Sequence, residues 1–268
     1  MTPLNILVTG TSRGIGKSIV AALAGHNVMG HSSSQGDDRR IAADLDQPGA
    51  AETLWNEALR RLGGRIDVLV NNAGIFEAAP IDAGHGPFVA QWERTLRVNL
   101  TASAELCRLA ILHFRERGEG GRIVNVASRA AYRGDSPDHW HYAASKAGMV
   151  GMTKSIARGY ARDGILAFSV CPGFTMSEMA ADYLASRGGE GILADIPLGR
   201  VADADEVAET VRWLAADAPA SVTGSAIDVN EAGASTASQR TVSATSAASA
   251  TRPSGMSASI PSPPRLAR

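Results

Sequence analysis

Short unbroken apolar runs alternate with stretches whose apolar positions recur every three or four residues, from the start of the chain to about residue 230. NILVTG (5–10) predicts a buried strand, followed by a glycine-rich turn and a helix over GKSIVAALAG (16–25) that Gly25 closes. NVMGH (27–31) predicts a second strand and RIAADL (40–45) a third. Eight residues (32–39) separate these two, too few for a crossover helix with its turns, so that helix is expected to be reduced or missing. GAAETLWNEALRRLG (49–63) predicts a helix, and IDVLVNNAG (66–74) a strand running into a loop. Residues 87–118 have the periodicity of one long helix, GRIVNVAS (121–128) that of a strand followed by a polar loop, and 141–163 that of a helix. ILAFSVCPGF (165–174) predicts a strand and loop, DADEVAETVRWLAAD (203–217) a helix, and GSAIDVN (224–230) the last strand. Strands alternating with helices imply an α/β fold with a doubly wound parallel sheet.

Composition changes this picture at one place. The chain has 268 residues, enough for one large α/β domain, and its 44% apolar and 20% charged residues suit a globular core. From Ala232 onward the composition shifts to Ala, Ser and Thr. So little apolar bulk cannot offset the ordering of a backbone at about 1–2 kcal/mol per residue, so 235–268 are expected to be a disordered tail on a domain of 1–234. A shifted reading frame would account for such an ending, with a partner-binding tail as the alternative. The formal charge of −1 supplies no basic field, so neither nucleic acid nor a membrane surface is expected as a partner. Cys107 and Cys171 sit in apolar contexts that predict buried thiols. The start MTPLNILVTG lacks the basic and apolar pattern of a leader, which points to the cytoplasm.

Two stretches carry candidate chemistry. HYAASKAGM (141–149) places Tyr142 and Lys146 one helical turn apart among alanines. A fixed cation beside a phenol favours phenolate, so the spacing points to a tuned proton donor and acceptor. TGTSRGIGK (9–17) follows a strand and opens a helix. Its Gly10, Gly14 and Gly16, spaced G-x-x-x-G-x-G, let an anion approach the unpaired N–H groups of the helix start. DSPDHWHY (135–142) holds two histidines and two aspartates, but the spacing matches no closed zinc set and no metal is expected.

Together TGTSRGIG, NNAG (71–74), the asparagine of RVNL (97–100), Ser128 in NVAS, YAASK (142–146) and CPGF (171–174) resemble the short-chain dehydrogenases/reductases in order and separation, over about residues 4 to 230. The resemblance implies a Rossmann-like fold and a catalytic set of Asn99, Ser128, Tyr142 and Lys146. Tyr142 would be the general acid/base, with Lys146 lowering its pKa and binding the nicotinamide ribose. Ser128 would hydrogen-bond the substrate carbonyl, and Asn99 would hold a relay water near the lysine. Cofactor contacts are implied at Gly10, Ser12, Arg13, Gly14, Ile15, Gly16, Ser32, Asp44, Leu45, Asn72, Ala73, Gly74, Tyr142, Lys146, Pro172 and Gly173. Asp44 would face the adenine amino group. Ser177, where the family usually has threonine, would face the nicotinamide carboxamide. Trp140 and His141 would border the substrate pocket.

The second strand ends in His31, Ser32 and Ser33 rather than in the acid that NAD-specific relatives use, and Arg13 offers a cation for a 2′-phosphate. The expected cofactor is therefore NADP(H), with NAD(H) as the alternative. The expected activity interconverts a small-molecule ketone and a secondary alcohol. IPLGRVADADEV (196–207) resembles the 3-oxoacyl thioester reductases, and the same stretch recurs in sugar and polyol dehydrogenases. A non-catalytic nucleotide sensor on the same fold is the rival from another class. A homodimer through 87–118 and 141–163 is expected by resemblance, and the unusual C-terminus argues against a tetramer.

Overall fold

The computed structural model describes residues 2–176, 193 and 196–230, all within the compact unit Met1–Gly233. The 235–268 tail and Glu231 lie outside the described residues. Seven strands, β1 (Asn5–Val8), β2 (Asn27–Ser32), β3 (Arg40–Ala42), β4 (Val68–Asn71), β5 (Gly121–Val126), β6 (Ile165–Pro172) and β7 (Ala226–Val229), form one sheet in the order β3-β2-β1-β4-β5-β6-β7. Every pairing is parallel, with Val8 opposite both Gly30 and Val70, and Asn71 opposite Asn125.

The unbroken apolar runs are explained by two covered faces. Leu7, Leu69, Ile123 and Ala167 point to one side, onto α2 (Ala50–Arg61), α4 (Ala102–Arg117) and α6 (Trp140–Tyr160). Their sequence neighbours Ile6, Val8, Val68, Val70, Val124 and Val126 point to the other, onto α1 (Gly14–Ala22) and a helix at Ala204–Arg212. Alternation along each strand thus buries both sides.

One expectation holds here, and two boundaries differ from the sequence pattern. The stretch between β2 and β3 contains no helix among the described residues, as its length predicts, and closes instead through a bridge between Asp37 and Arg40. The single helix predicted over 87–118 is α3 (His85–Leu96) and α4 joined by a π turn at Arg97–Thr101. The polar loop after β5 holds a short helix, α5 (Ala130–Arg133); the helix at Ala204–Arg212 is therefore α7. At the end of β7 the left-handed conformation falls on Asn230 (φ 66°), a residue type that tolerates it, and its amide donates to the Arg200 carbonyl at 2.9 Å. Among the described residues no helix is long and apolar enough to cross a membrane.

A buried polar chain ties the sheet to the helix that bears the dyad. Asn71 Nδ2 donates to Asn125 Oδ1 (2.8 Å), Asn125 Nδ2 to Thr153 Oγ1 (2.8 Å), and Thr153 Oγ1 to the Met149 carbonyl of α6 (2.8 Å). Asn125→Ala strands donors and acceptors on both sides, so urea unfolding should show a loss of about 2–3 kcal/mol with the denaturant slope unchanged. A loss below about 0.5 kcal/mol would show that the chain contributes nothing.

Candidate active site

The strand order reverses between β1 and β4, which opens a crevice at the carboxyl ends of these strands. Two turns meet there. The Thr9 hydroxyl accepts the N–H groups of Asn72 (3.0 Å) and Ala73 (2.9 Å), and Asn72 Nδ2 donates to the carbonyls of Thr9 and Gly10, both at 3.0 Å. The close approach dictates glycine: a Cβ at Gly16 would overlap the Gly10 carbonyl oxygen and stand 2.6 Å from Asn72 Nδ2. Gly10 and Gly14 hold φ of 70° and 52°. A Cβ at Gly14 would meet nothing within 4 Å, so the turn is open on that side, at the start of α1, where a helix leaves its first N–H groups without intrahelical partners. These features fit a dinucleotide phosphate lying over the turn.

The catalytic candidates converge beside this crevice. The π turn places Asn99 fully inside, where Oδ1 accepts the Ile75 N–H (2.8 Å) and Nδ2 donates to the Ile75 carbonyl (3.0 Å) and to Ser145 Oγ (3.3 Å). A Cβ at Gly74 would lie 3.3 Å from Asn99 Oδ1 and 3.4 Å from Lys146 Nζ, so the loop after β4, the π turn and α6 meet at one point. Lys146 is buried, donates to the Val126 carbonyl at 3.0 Å, and has its ammonium 5.8 Å from the centroid of the Tyr142 ring. Ser128 hydrogen-bonds the Tyr142 hydroxyl, and its own Oγ also accepts the Ala130 N–H at 3.1 Å.

The electrostatics differ from what the dyad spacing predicts. Burial pushes the Tyr142 phenol above its ordinary pKa, against the Ser128 hydrogen bond that favours the phenolate; Asp135 adds to the rise and Arg129 opposes it. Burial also lowers Lys146 to about 8, so the lysine is itself a strained cation here. Desolvation therefore outweighs the pairwise attraction that the spacing implies.

Several cofactor candidates are in place and others are turned elsewhere. Ser12 and Arg13 are exposed, with Arg13 at the N-cap of α1, and Ile15 is half-buried beside them. Leu45 is buried. Asp44 is exposed and accepts the Asp46 N–H at 3.1 Å, a local turn bond. The Ser32 hydroxyl is committed to its own loop, donating to the Gln35 carbonyl and accepting the Gln35 N–H at 3.2 Å. Pro172 and Gly173 close β6, with the Gly173 N–H donating to the Val229 carbonyl at 2.8 Å. Ser177 lies outside the described residues. His141 is turned inward, with Nε2 against the Glu77 carbonyl at 2.9 Å, so it does not border the pocket. Instead Phe76 sets its edge toward the Tyr142 ring (4.8 Å, 86°) and stacks on His139 (3.9 Å, 8°), while Trp140 remains half exposed. Thr9 and Phe76 were not singled out by the sequence pattern, because nothing local distinguishes a hydroxyl or ring that acts across the sheet, and His139 was weighed there only as a metal ligand.

Residues 10–233 match the family model described as enoyl-(acyl carrier protein) reductase. Acetoacetyl-CoA reductase of Rhizobium meliloti is 35% identical over 237 residues, covering 84% of this chain and 95% of its own length. The 3-oxoacyl-(acyl-carrier-protein) reductase FabG of Escherichia coli is 33% identical, covering 84% and 94%. A solved structure of a putative NAD(P)-dependent gluconate 5-dehydrogenase from Beutenbergia cavernae, with bound NADP, has a TM-score of 0.77 at 30% identity and covers 85% of this chain and 95% of that one. The TT0495 protein of Thermus thermophilus gives 0.78 at 29% identity, covering 86% and 98%. The chain belongs to the short-chain dehydrogenase/reductase family. It is thus an oxidoreductase of CH–OH and C=O groups that takes a nicotinamide cofactor.

Gly16→Ala forces the two turns apart, and calorimetric titration with NADPH should show binding at least about tenfold weaker than in the unaltered chain. Unchanged affinity would mean that the phosphates do not lie on this turn.

Proposed function

We propose that the chain is an NADP(H)-dependent reductase of ketones, with 3-oxoacyl thioesters as its first substrate class. The observation that carries this reading is the convergence of Ser128, Tyr142, Lys146 and Asn99 beside the glycine turn. The thioester reductases of R. meliloti and E. coli support the substrate class.

When bound, the nicotinamide supplies the hydride that reduces the carbonyl carbon. The chain supplies the proton and the electrostatics. Ser128 Oγ hydrogen-bonds the substrate oxygen and stabilises the charge that develops on it. Tyr142, a phenol whose pKa burial raises above its ordinary value, donates its hydroxyl proton to that oxygen. The phenolate left behind stands against the Lys146 ammonium until a solvent proton restores the phenol.

Cofactor preference follows from charges at the end of β2. The first acid there, Asp37, is paired with Arg40 at 2.9 Å and accepts the Arg39 N–H at 2.9 Å, so it is committed away from the ribose. Arg13, exposed at the start of α1, is the cation for a 2′-phosphate. The NADP bound in the B. cavernae structure agrees with this choice.

One feature favours a second substrate class. The Arg129 guanidinium lies 3.7 Å over the Phe174 ring and acts electrostatically on Tyr142, so a cation stands in the neighbourhood of the phenol. A sugar-acid carboxylate would meet it, in keeping with the gluconate dehydrogenases among the structural neighbours.

Tyr142→Phe should retain NADPH binding and reduce ketone turnover at least about 10²-fold. With NADPH saturating at every pH, kcat/KM for the ketone should be flat from about pH 6 to about pH 7.5 in the unaltered chain. It should then fall as pH rises through the Lys146 value of about 8, because the neutral amine no longer stabilises the phenolate. A rate that climbs through this range, or near-normal turnover by Tyr142→Phe, would refute the assigned roles. The ratio of kcat/KM for NADPH over NADH should be at least about 10, one charge-assisted contact. An NADH preference would refute the cofactor reading.

A further inference from the structure

The imidazole of His31 sits at the end of β2 with 2% of its surface exposed, and it touches both halves of the nucleotide crevice. Nδ1 lies 3.1 Å from the Gly10 nitrogen, and Nε2 lies 2.8 Å from the Ala43 carbonyl oxygen. The His31 backbone carbonyl also accepts the Thr11 N–H (2.8 Å) and the Thr11 hydroxyl (3.1 Å). Gly10 itself is held at φ 70°.

We infer that His31 is a positioning residue for the phosphate-binding turn, one that joins this turn to the adenine side at Ala43 and releases it when the imidazole is protonated. The inference rests on the reading of that turn as a dinucleotide site. The tautomer follows from the partners alone. A backbone N–H can only donate, so Nδ1 must present its lone pair to Gly10; the proton is then on Nε2, facing the Ala43 carbonyl. Protonation puts a second proton on Nδ1, donor against donor, and the Gly10 bond is lost.

The surroundings favour the neutral ring. Burial holds the His31 pKa below its ordinary value, while the Ala43 carbonyl and the Asp44 carboxylate pull it upward. Of the charged residues on the surrounding segments, Arg13 after β1, Asp37, Asp38, Arg39 and Arg40 between β2 and β3, and Asp44 after β3, Asp44 is the one that acts on the ring. At neutral pH the clasp is closed, and acid opens it.

Two substitutions separate the halves of the clasp. In His31→Asn the side-chain oxygen can stand where Nδ1 does and accept from Gly10, without titrating. In His31→Gln the amide nitrogen can stand where Nε2 does and keep only the Ala43 contact. Fluorescence titration with NADPH at about pH 7.5 should place His31→Asn within about threefold of the unaltered chain and His31→Gln at least about tenfold weaker. As pH falls from about 7.5 through the His31 pKa, which burial holds below the ordinary histidine value, the unaltered chain should lose at least about fivefold more affinity than His31→Asn. Titration of the 2′-phosphate is common to both and cancels in this ratio. A constant ratio, or a His31→Gln variant as tight as the unaltered chain, would overturn the inference. Nitrogen NMR of the imidazole in the unaltered chain tests it whether or not the variants fold: an Nε2–H tautomer is expected, and an Nδ1–H tautomer or a charged ring at neutral pH overturns it. If the unaltered chain binds no NADPH, the cofactor reading fails and the imidazole spectrum alone decides the clasp.

Discussion

The turns that follow β1 and β4 are joined by a reciprocal set of hydrogen bonds, Thr9 Oγ1 to two N–H groups and the Asn72 amide to two carbonyls, and the whole carboxyl edge of the sheet is referenced to this junction. The β1–β4 ladder ends at the Thr9 N–H, which donates to the Val70 carbonyl at 3.0 Å, and the two loops beyond it have no ladder to hold them together. Thr9 is 1% exposed, so its hydroxyl has no water to turn to, and the price of an unmade bond keeps the loops together. Gly16 is required by that closeness, and the direction in which α1 presents its first N–H groups follows from it. Gly74, next along the same loop, extends the junction to Asn99 and Lys146.

At the catalytic end the balance is between burial and charge. Tyr142 and Lys146 are both shifted toward their neutral forms, the phenol upward and the amine down to about 8. In an exposed helix the same pair would interact weakly with no such shift. Burial is the largest cause of both shifts. That arrangement suits a site that donates a proton and stabilises the resulting anion.

The strands, their full burial and the glycine turn were legible in the sequence because each is set by a local apolar run or by local backbone freedom. The pairing of Tyr142 with Lys146 was legible for the same reason, being one turn of one helix. The sign of the Tyr142 shift was not, because it depends on how much of α6 the loops cover. His141 was expected at the pocket on proximity in sequence, yet one residue along a helix is a rotation of about 100°, which carries it inward to Glu77. The π turn at Asn99, the short α5 and the Phe76–His139 stack arise from packing between distant segments, and no local pattern marks them.

Backbone hydrogen exchange with and without NADPH tests the central claim, that the junction of the β1 and β4 turns is where the cofactor binds. The N–H groups of residues 10–16 and 72–75 should slow together at saturating NADPH, while α2 and the outer face of α4 stay unchanged. Saturation that leaves both turns exchanging at their original rates, with protection elsewhere, would contradict the account.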